Sequence, residues 1–329
     1  MIELTSRSTN HHYSAGLVGL GGIAWRFDAN RADGPALTHF GAYRRNSRTR
    51  VICGYSPVAQ ELLEFANATG AMACERFEEV LGRRPDIVSI CSPSEFHFEQ
   101  TLPCLELGTP MVWLEKPPTL KLSELDALLN HPAYCSGKSK VLVNYTRRYS
   151  KIYNRLGAIW RERLLGQPLT MQMLYSRGLE LNGSHFLDFV FSMLDDQLPR
   201  ELVISVTERQ KPNPTFLLRF ADDFIVSVCG HDAGYHINDV LLVCENGRAS
   251  ILSGGLETRV ERNVENEHYA GFFRLKETDR ELLTAGEPDD CFSAALSDLI
   301  DARETGRQPR SNLMTARLTQ AVIEEVRRG

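Results

Sequence analysis

Short apolar runs alternate with helical-period segments through the first half of the chain. Runs at 16–18, 50–55, 86–91, 111–114 and 141–145 read as buried strands. Between them, 60–69 carries Leu62, Leu63 and Phe65 at helical spacing and meets Gly70 as a C-cap, and 99–107 reads as a helix stopped by Gly108. This alternation predicts a parallel sheet with helices on both faces and ligands at its carboxyl edge. A further helix is expected over 151–165, closed by Gly166.

Beyond that helix the pattern changes. Segments 169–175, 201–207, 215–220, 224–229 and 239–244 read as strands separated by short turns, with Asp222-Asp223 and Asn246-Gly247 as hairpin chemistry. An antiparallel sheet with one wet face should alternate apolar and polar residues, and Val240-Leu241-Leu242-Val243-Cys244 does not. Both faces are therefore expected to be covered, one by helices and the other by a second subunit. Two packing helices, 290–305 and 313–326, close the chain.

The expected class is α/β: an N-terminal Rossmann parallel sheet (domain 1–146), then an α+β domain with a large, mostly antiparallel open sheet (domain 147–329). Gly16-Leu17-Val18-Gly19-Leu20-Gly21-Gly22-Ile23-Ala24 has the G-x-G-x-x-G/A spacing that cradles a pyrophosphate. Gly19 permits a tight turn, Gly21 lets backbone approach the phosphates, and Ala24 allows close packing of the helix expected to start there. Tyr55-Ser56, Ser92-Pro93 and Glu115-Lys116-Pro117 fall at other strand ends on the same edge.

Composition narrows the partners. With 329 residues, 43% hydrophobic content and net charge −5, the chain reads as an ordinary globular protein with no nucleic-acid partner. No apolar run approaches about 18 residues, so no membrane partner is expected, and the polar stretch 1–12 does not read as a secretory signal. The eight cysteines form no C-x-x-C pair. Thiols kept reduced in the cytoplasm fit better than disulfides or a metal site.

Three segments carry candidate chemistry. Lys116, at a strand end, can hydrogen-bond a substrate hydroxyl or carbonyl, and its bond to Pro117 is a candidate for cis. His185 opens an apolar helix and has an ordinary pKa of about 6.5, suited to taking an alcohol proton. Asp188, one turn on, either orients that ring or caps nearby amides. In Ser92-Pro93-Ser94-Glu95-Phe96-His97, the histidine either contacts a cofactor or caps the following helix.

Together these segments resemble the Gfo/Idh/MocA family of nicotinamide-dependent oxidoreductases. The resemblance rests on the glycine turn, Ser92-Pro93…His97, Gly108…Trp113-Leu114-Glu115-Lys116-Pro117, Tyr145-Thr146-Arg147-Arg148-Tyr149, Gly183-Ser184-His185…Asp188 and Gly306-Arg307-Gln308-Pro309. It implies hydride transfer between NAD(P) and a ring carbinol or ketone of a sugar, nucleotide sugar or cyclitol, in a homodimer or homotetramer joined through the C-terminal sheet. Lys116 would polarise the reacting oxygen and His185 would act as acid/base. Tyr145, Arg147, Arg148 and Asn182 would join them around the substrate. The cofactor set would be Gly19, Gly21, Gly22, Ile23, Ala24, Ser56, Ser92, Pro93, His97, Glu115 and Lys116.

Two positions depart from that pattern. Many members carry an aspartate where this chain has Leu181, and strand alternation would aim Glu180 and Asn182 away from that face. The alternative reading is a cofactor-binding regulatory protein that has lost catalysis. The strand-end acid expected to bind the adenosine ribose is replaced by Tyr55-Ser56-Pro57, leaving NAD versus NADP open. Ser56 could donate to a 2′-phosphate, with Arg26, Arg44 or Arg45 as the candidate cations.

Overall fold

The computed structural model describes residues 12–31, 33–203, 209–283 and 289–328. The expected polar N-terminus up to residue 11, and residues 204–207 of the expected strand 201–207, lie outside the described residues. Two compact units emerge. One comprises the described residues of Met1–Glu115, Asn130–Leu142 and Phe292–Pro309, and the other those of Lys116–Leu129, Val143–Cys291 and Arg310–Gly329.

In the first unit, strands β1 (Tyr13–Val18), β2 (Thr49–Tyr55), β3 (Met72–Cys74), β4 (Ile87–Ile90), β5 (Met111–Leu114) and β6 (Lys140–Val143) form a sheet of order β3-β2-β1-β4-β5-β6. That order is the doubly wound Rossmann arrangement, whose reversal beside β1 creates a ligand crevice at the strand carboxyl ends. Strands β4, β5 and β6 are buried at every residue, as sheets covered on both faces require. Helices α1 (His39–Arg45), α2 (Ala59–Thr69), α3 (Phe77–Gly82) and α4 (His97–Glu106) connect the strands. Cys53, Cys74, Cys91 and Cys104 are buried here as small hydrophobes.

The glycine turn differs from expectation. No α-helix starts at Ala24. Turns lead into a 3-10 segment, Arg26–Asp28, and the α-helix waits until His39. The reason is Asp28, whose buried carboxylate accepts from Leu37 N (2.8 Å) and Thr38 Oγ1 (2.7 Å), so residues 37 and 38 come back to it before the helix begins. Thr38 then caps α1 by accepting from Gly41 N.

The second unit contains α5 (Leu122–Leu129), α7 (Lys151–Arg161), α8 (Ser184–Met193), α10 (Leu313–Arg327) and the later strands. The short α6 (Pro132–Cys135) and most of α9 (Cys291–Thr305) belong to the first unit. Strands β7 (Pro168–Tyr175), β8 (Glu201–Val203), β9 (Phe216–Arg219), β10 (Ile225–Gly230), β11 (Asn238–Cys244), β12 (Gly247–Leu252), β13 (Glu257–Glu265) and β14 (Phe273–Leu282) form a sheet of order β14-β13-β12-β11-β7-β10-β9-β8. All its pairings are antiparallel except β7 with β10.

Burial along β11 alternates strictly despite the unbroken apolar sequence. Val240, Leu242 and Cys244 face the core with Met171, Met173, Val226, Val228 and Phe186. Leu241, Val243 and Leu174 share the opposite face with Arg248, Arg259 and Glu261 and stay partly exposed. Among the described residues, no segment of the chain seals that face.

Candidate functional site

Each part of the glycine turn has its own constraint. Gly19 has φ +80°, and a Cβ there would lie 2.4 Å from Ser92 N, so only glycine fits between β1 and the loop after β4. A Cβ on Gly21 would meet nothing within 4 Å, leaving the backbone open to a close-approaching ligand. The Ile23 and Ala24 carbonyls instead accept from His39 N (3.2 Å) and Phe40 N (2.9 Å), tying the turn to α1. A pyrophosphate fits this cradle, although the helix N-terminus expected to face it is replaced by the irregular turn.

The other strand-end residues fall into two groups. Ser92 lies beside Gly19, with its hydroxyl on Gln100, and Pro93 follows it. His97 is turned inward, where Nε2 bonds the Ser92 carbonyl at 2.8 Å, so it shapes the loop rather than facing a ligand. Ser56 is engaged with Glu61. Glu115 is buried, and its Oε1 accepts from His39 Nε2 at 3.0 Å. His39 Nδ1 in turn meets Ser89 Oγ at 3.0 Å, and Ser89 meets the Tyr43 hydroxyl at 2.8 Å. His39, Ser89 and Tyr43 thus form one buried hydrogen-bonded chain ending on the Glu115 carboxylate.

In the second unit, Lys116 and His185 converge on one turn. The Lys116–Pro117 bond is cis, matching the candidate raised from the sequence. Lys116 Nζ donates to the Leu181 carbonyl at 2.9 Å, and Ser184 Oγ donates to the neighbouring Glu180 carbonyl at 2.8 Å. The segment expected as a strand is a π-helix, Leu179–Gly183, running into α8. Its residues fan around an axis instead of alternating, which overturns the expected facing of positions 180–182. Glu180 pairs with Arg327 at 2.8 Å, the Leu181 side chain is 57% exposed, and Asn182 turns into a cavity.

That cavity, about 300 Å³, is lined by Arg147, Tyr153, Asn182, His185, His236, Asn238, Asp289 and Cys291 among others. Arg147 lies over the rings of Phe186 (4.8 Å) and Tyr153 (5.4 Å), and its Nε donates to the Tyr153 hydroxyl. Its terminal guanidinium nitrogens bond no described residue, so they remain donors for a ligand. Asp289 caps α7, accepting from Ser150 Oγ and Lys151 N, each at 2.6 Å.

His185 is electrostatically distinctive. Burial first, then the positive charges of Arg147 and Lys116 and the neighbouring His236, hold its pKa well below the ordinary histidine value. The ring is therefore neutral at neutral pH. Nδ1 is sealed from solvent with no hydrogen-bond partner among the described residues, which leaves Nε2 as the nitrogen open to a ligand. The ring of Tyr145, edge-on at 5.6 Å, orients the imidazole in place of a carboxylate. Tyr145 itself is buried.

Arg148 and Asp188 take different roles from those expected. Arg148 is 4% exposed, and Nε bonds Asp188 Oδ2 at 2.8 Å while another nitrogen bonds Asp196 Oδ1 at 2.7 Å. Its donors are spent internally, so Arg147 rather than Arg148 presents charge to the cavity. Burial pushes the Asp188 carboxyl up to about 6 against the pull of Arg148. Asp188 anchors that arginine and does not bond His185.

His236, Asn238, Tyr153, Asp289 and Cys291 were not singled out from sequence. For His236 and Asn238 a signal existed. Asn238 precedes Val240 at a spacing of two, so strand alternation places both on the inward face of β11, and His236 lies two residues ahead of that strand. Both Asn182 and Asn238 amides point at His236 Nε2, so that ring accepts and is neutral. Burial, then Arg177 and Arg147, lowers its pKa accordingly.

Comparison with known proteins follows the same lines. The family model for the oxidoreductase family with NAD-binding Rossmann fold (GFO_IDH_MocA) matches residues 14–144. The inositol 2-dehydrogenase of Corynebacterium glutamicum (strain R) is 32% identical over 135 residues, covering 39% of this chain and 36% of its own. That of Rhodococcus erythropolis is 24% identical over 169 residues, 48% of each chain. The chain thus spans about half, or less, of the length of these curated relatives. A solved inositol dehydrogenase homolog from Azotobacter vinelandii, complexed with NADH and myo-inositol, has a TM-score of 0.75 at 16% identity, covering 97% of this chain and 96% of its own. At that identity the likeness is one of fold. No helix among the described residues is long and apolar enough to cross a membrane. Over residues 14–144 the chain is thus similar to the oxidoreductase family with NAD-binding Rossmann fold.

Proposed function

We propose that this chain is an NAD(P)-dependent oxidoreductase acting on a ring carbinol or ketone of a sugar, nucleotide sugar or cyclitol. The observation that carries this reading is the pairing of a neutral His185 with Lys116 across the Leu181–Ser184 turn, beside a cavity rich in hydrogen-bonding side chains. The nicotinamide, when bound, gives or takes the hydride. In the oxidation direction His185 Nε2 takes the hydroxyl proton, while Lys116 Nζ donates to the same oxygen and stabilises its developing charge. Arg147 and Asn182 hold neighbouring hydroxyls, and the aromatic rings of Tyr153 and Phe186 keep the guanidinium in place. The glycine turn, Ser92 and Pro93 would receive the cofactor.

The test has two stages. Saturable fluorescence quenching or enhancement is expected with NADH or NADPH, followed by reduced-cofactor formation with members of a panel of polyols, cyclitols and uronates. Binding of neither cofactor would overturn the reading. Leu181 favours a second reading, a cofactor-binding regulator without turnover; it predicts saturable binding and no oxidation of any panel member.

The partly exposed apolar face of the second sheet supports assembly as a homodimer or homotetramer, with Leu174, Leu241 and Val243 covered by a second copy. Light scattering at micromolar concentration is expected to give at least twice the monomer mass. Leu241→Asp should lower it, and a monomer in the unaltered protein would sink the idea.

A further inference from the structure

We propose that Glu61, supplied by the first turn of α2, is the ribose-facing acid of the Rossmann unit and makes the chain select NAD over NADP. This rests on the oxidoreductase reading above and goes beyond it by naming the cofactor.

The argument begins with position. Strand β2 lies beside β1, and Gly19 N donates to the Tyr55 carbonyl at 2.8 Å, so the end of β2 abuts the glycine turn. In this fold an acid near that point accepts from the adenosine ribose 2′-hydroxyl. Tyr55-Ser56-Pro57 carries none. The Ser56 hydroxyl, 3% exposed, donates to Glu61 Oε2 at 2.7 Å and accepts from Val58 N at 3.2 Å. Its one proton is committed to Glu61, so it is not available to a 2′-phosphate, contrary to the sequence expectation. The same bond draws Glu61 back over the end of β2. There its side chain stays 25% exposed and able to accept further hydrogen bonds.

Charge decides between the two cofactors. Arg26, five residues past Gly21, has its NH2 nitrogen 2.9 Å from Glu64 Oε2 and 3.7 Å from Glu61 Oε1. One guanidinium between two carboxylates leaves the cluster net negative. The other candidate cations are engaged elsewhere. Arg44 donates to the Arg31 carbonyl, and Arg45 to the Gly34 and Gly41 carbonyls at 2.9 and 3.0 Å. A 2′-phosphate, carrying roughly −1.5 to −2 charges, would meet net repulsion, whereas a ribose diol finds an ionised acceptor.

Fluorescence titration of the full chain with NADH and with NADPH tests this without relying on turnover. A hydrogen bond to a charged group contributes about 1.5–3 kcal/mol, so NADH should bind roughly 10- to 100-fold more tightly than NADPH. Glu61→Gln keeps an acceptor for Ser56 and should shrink that ratio at least about tenfold. The double variant Glu61→Gln with Glu64→Gln releases Arg26 and should bind NADPH more tightly than the parent, a gain that Arg26→Ala then removes. Parent protein binding NADPH as tightly as NADH, or an unchanged ratio in Glu61→Gln, would overturn the proposal while leaving the oxidoreductase reading intact. Binding of neither cofactor by the parent would overturn both.

Discussion

Replacing Lys116 by methionine is expected to lower kcat and kcat/KM together, by roughly 10²–10³-fold, while leaving NADH affinity within about twofold. Methionine keeps the length of the side chain and removes only the charged donor, now anchored on the Leu181 carbonyl. Because that donor strengthens its bond as the substrate oxygen gains charge, its loss falls on the chemical step rather than on ground-state binding. His185→Asn should cost roughly 10²–10⁴-fold for the proton-transfer role. The pH profile separates the two variants. The depressed pKa of His185 keeps the parent's base neutral, so oxidation should hold its rate as pH falls through the ordinary histidine range near 6.5 and decline only well below it. His185→Asn should lose that acid limb, and Lys116→Met should keep it. An unchanged kcat in Lys116→Met would refute the assigned roles.

Replacing Arg148 by methionine is expected to destabilise the second unit by about 3–5 kcal/mol, since removing one partner of a buried pair leaves an uncompensated charge. Asp188 is fully buried, and Asp196 shares the same guanidinium. The loss corresponds to roughly 6–20 °C in Tm for a unit of this size. Differential scanning calorimetry measures it. Asp188→Asn together with Arg148→Met should recover part of the loss, because the orphaned carboxylate is then gone. A raised KM with an unshifted Tm would instead mean that Arg148 touches substrate.

Some of this was legible before any coordinates, for identifiable reasons. The strands at 50–55, 86–91 and 111–114 are short apolar runs bounded by polar residues and glycine, and a buried parallel strand needs little more. Gly19 was readable because one geometric demand, a positive φ beside the Ser92 backbone, admits a single residue type. The late start of α1 was not, because it depends on Asp28 gathering donors from residues nine and ten positions ahead, which no periodicity encodes. Arg147 and Arg148 illustrate the same limit. Adjacent and chemically identical, they part ways because one finds Asp188 forty residues on and the other finds two aromatic rings. The π-helical turn at 179–183 was likewise hidden, since five residues are too few for a helical period to show, so the facing of positions 180–182 was misread even though Asn182 was expected at the substrate.

The return of Phe292–Pro309 to the first unit has a consequence for biosynthesis. Phe292 lies 5.9 Å from Trp113 and 5.5 Å from His39, ring to ring, Glu304 accepts from the Tyr13 hydroxyl at 2.9 Å, and Lys140 Nζ reaches the Gly306 carbonyl at 2.7 Å. A nascent chain that has already emitted all six strands of this sheet still shows the ribosome surface and its attendant chaperones an indole covered only by His39 and Tyr43, until Phe292 has left the exit tunnel.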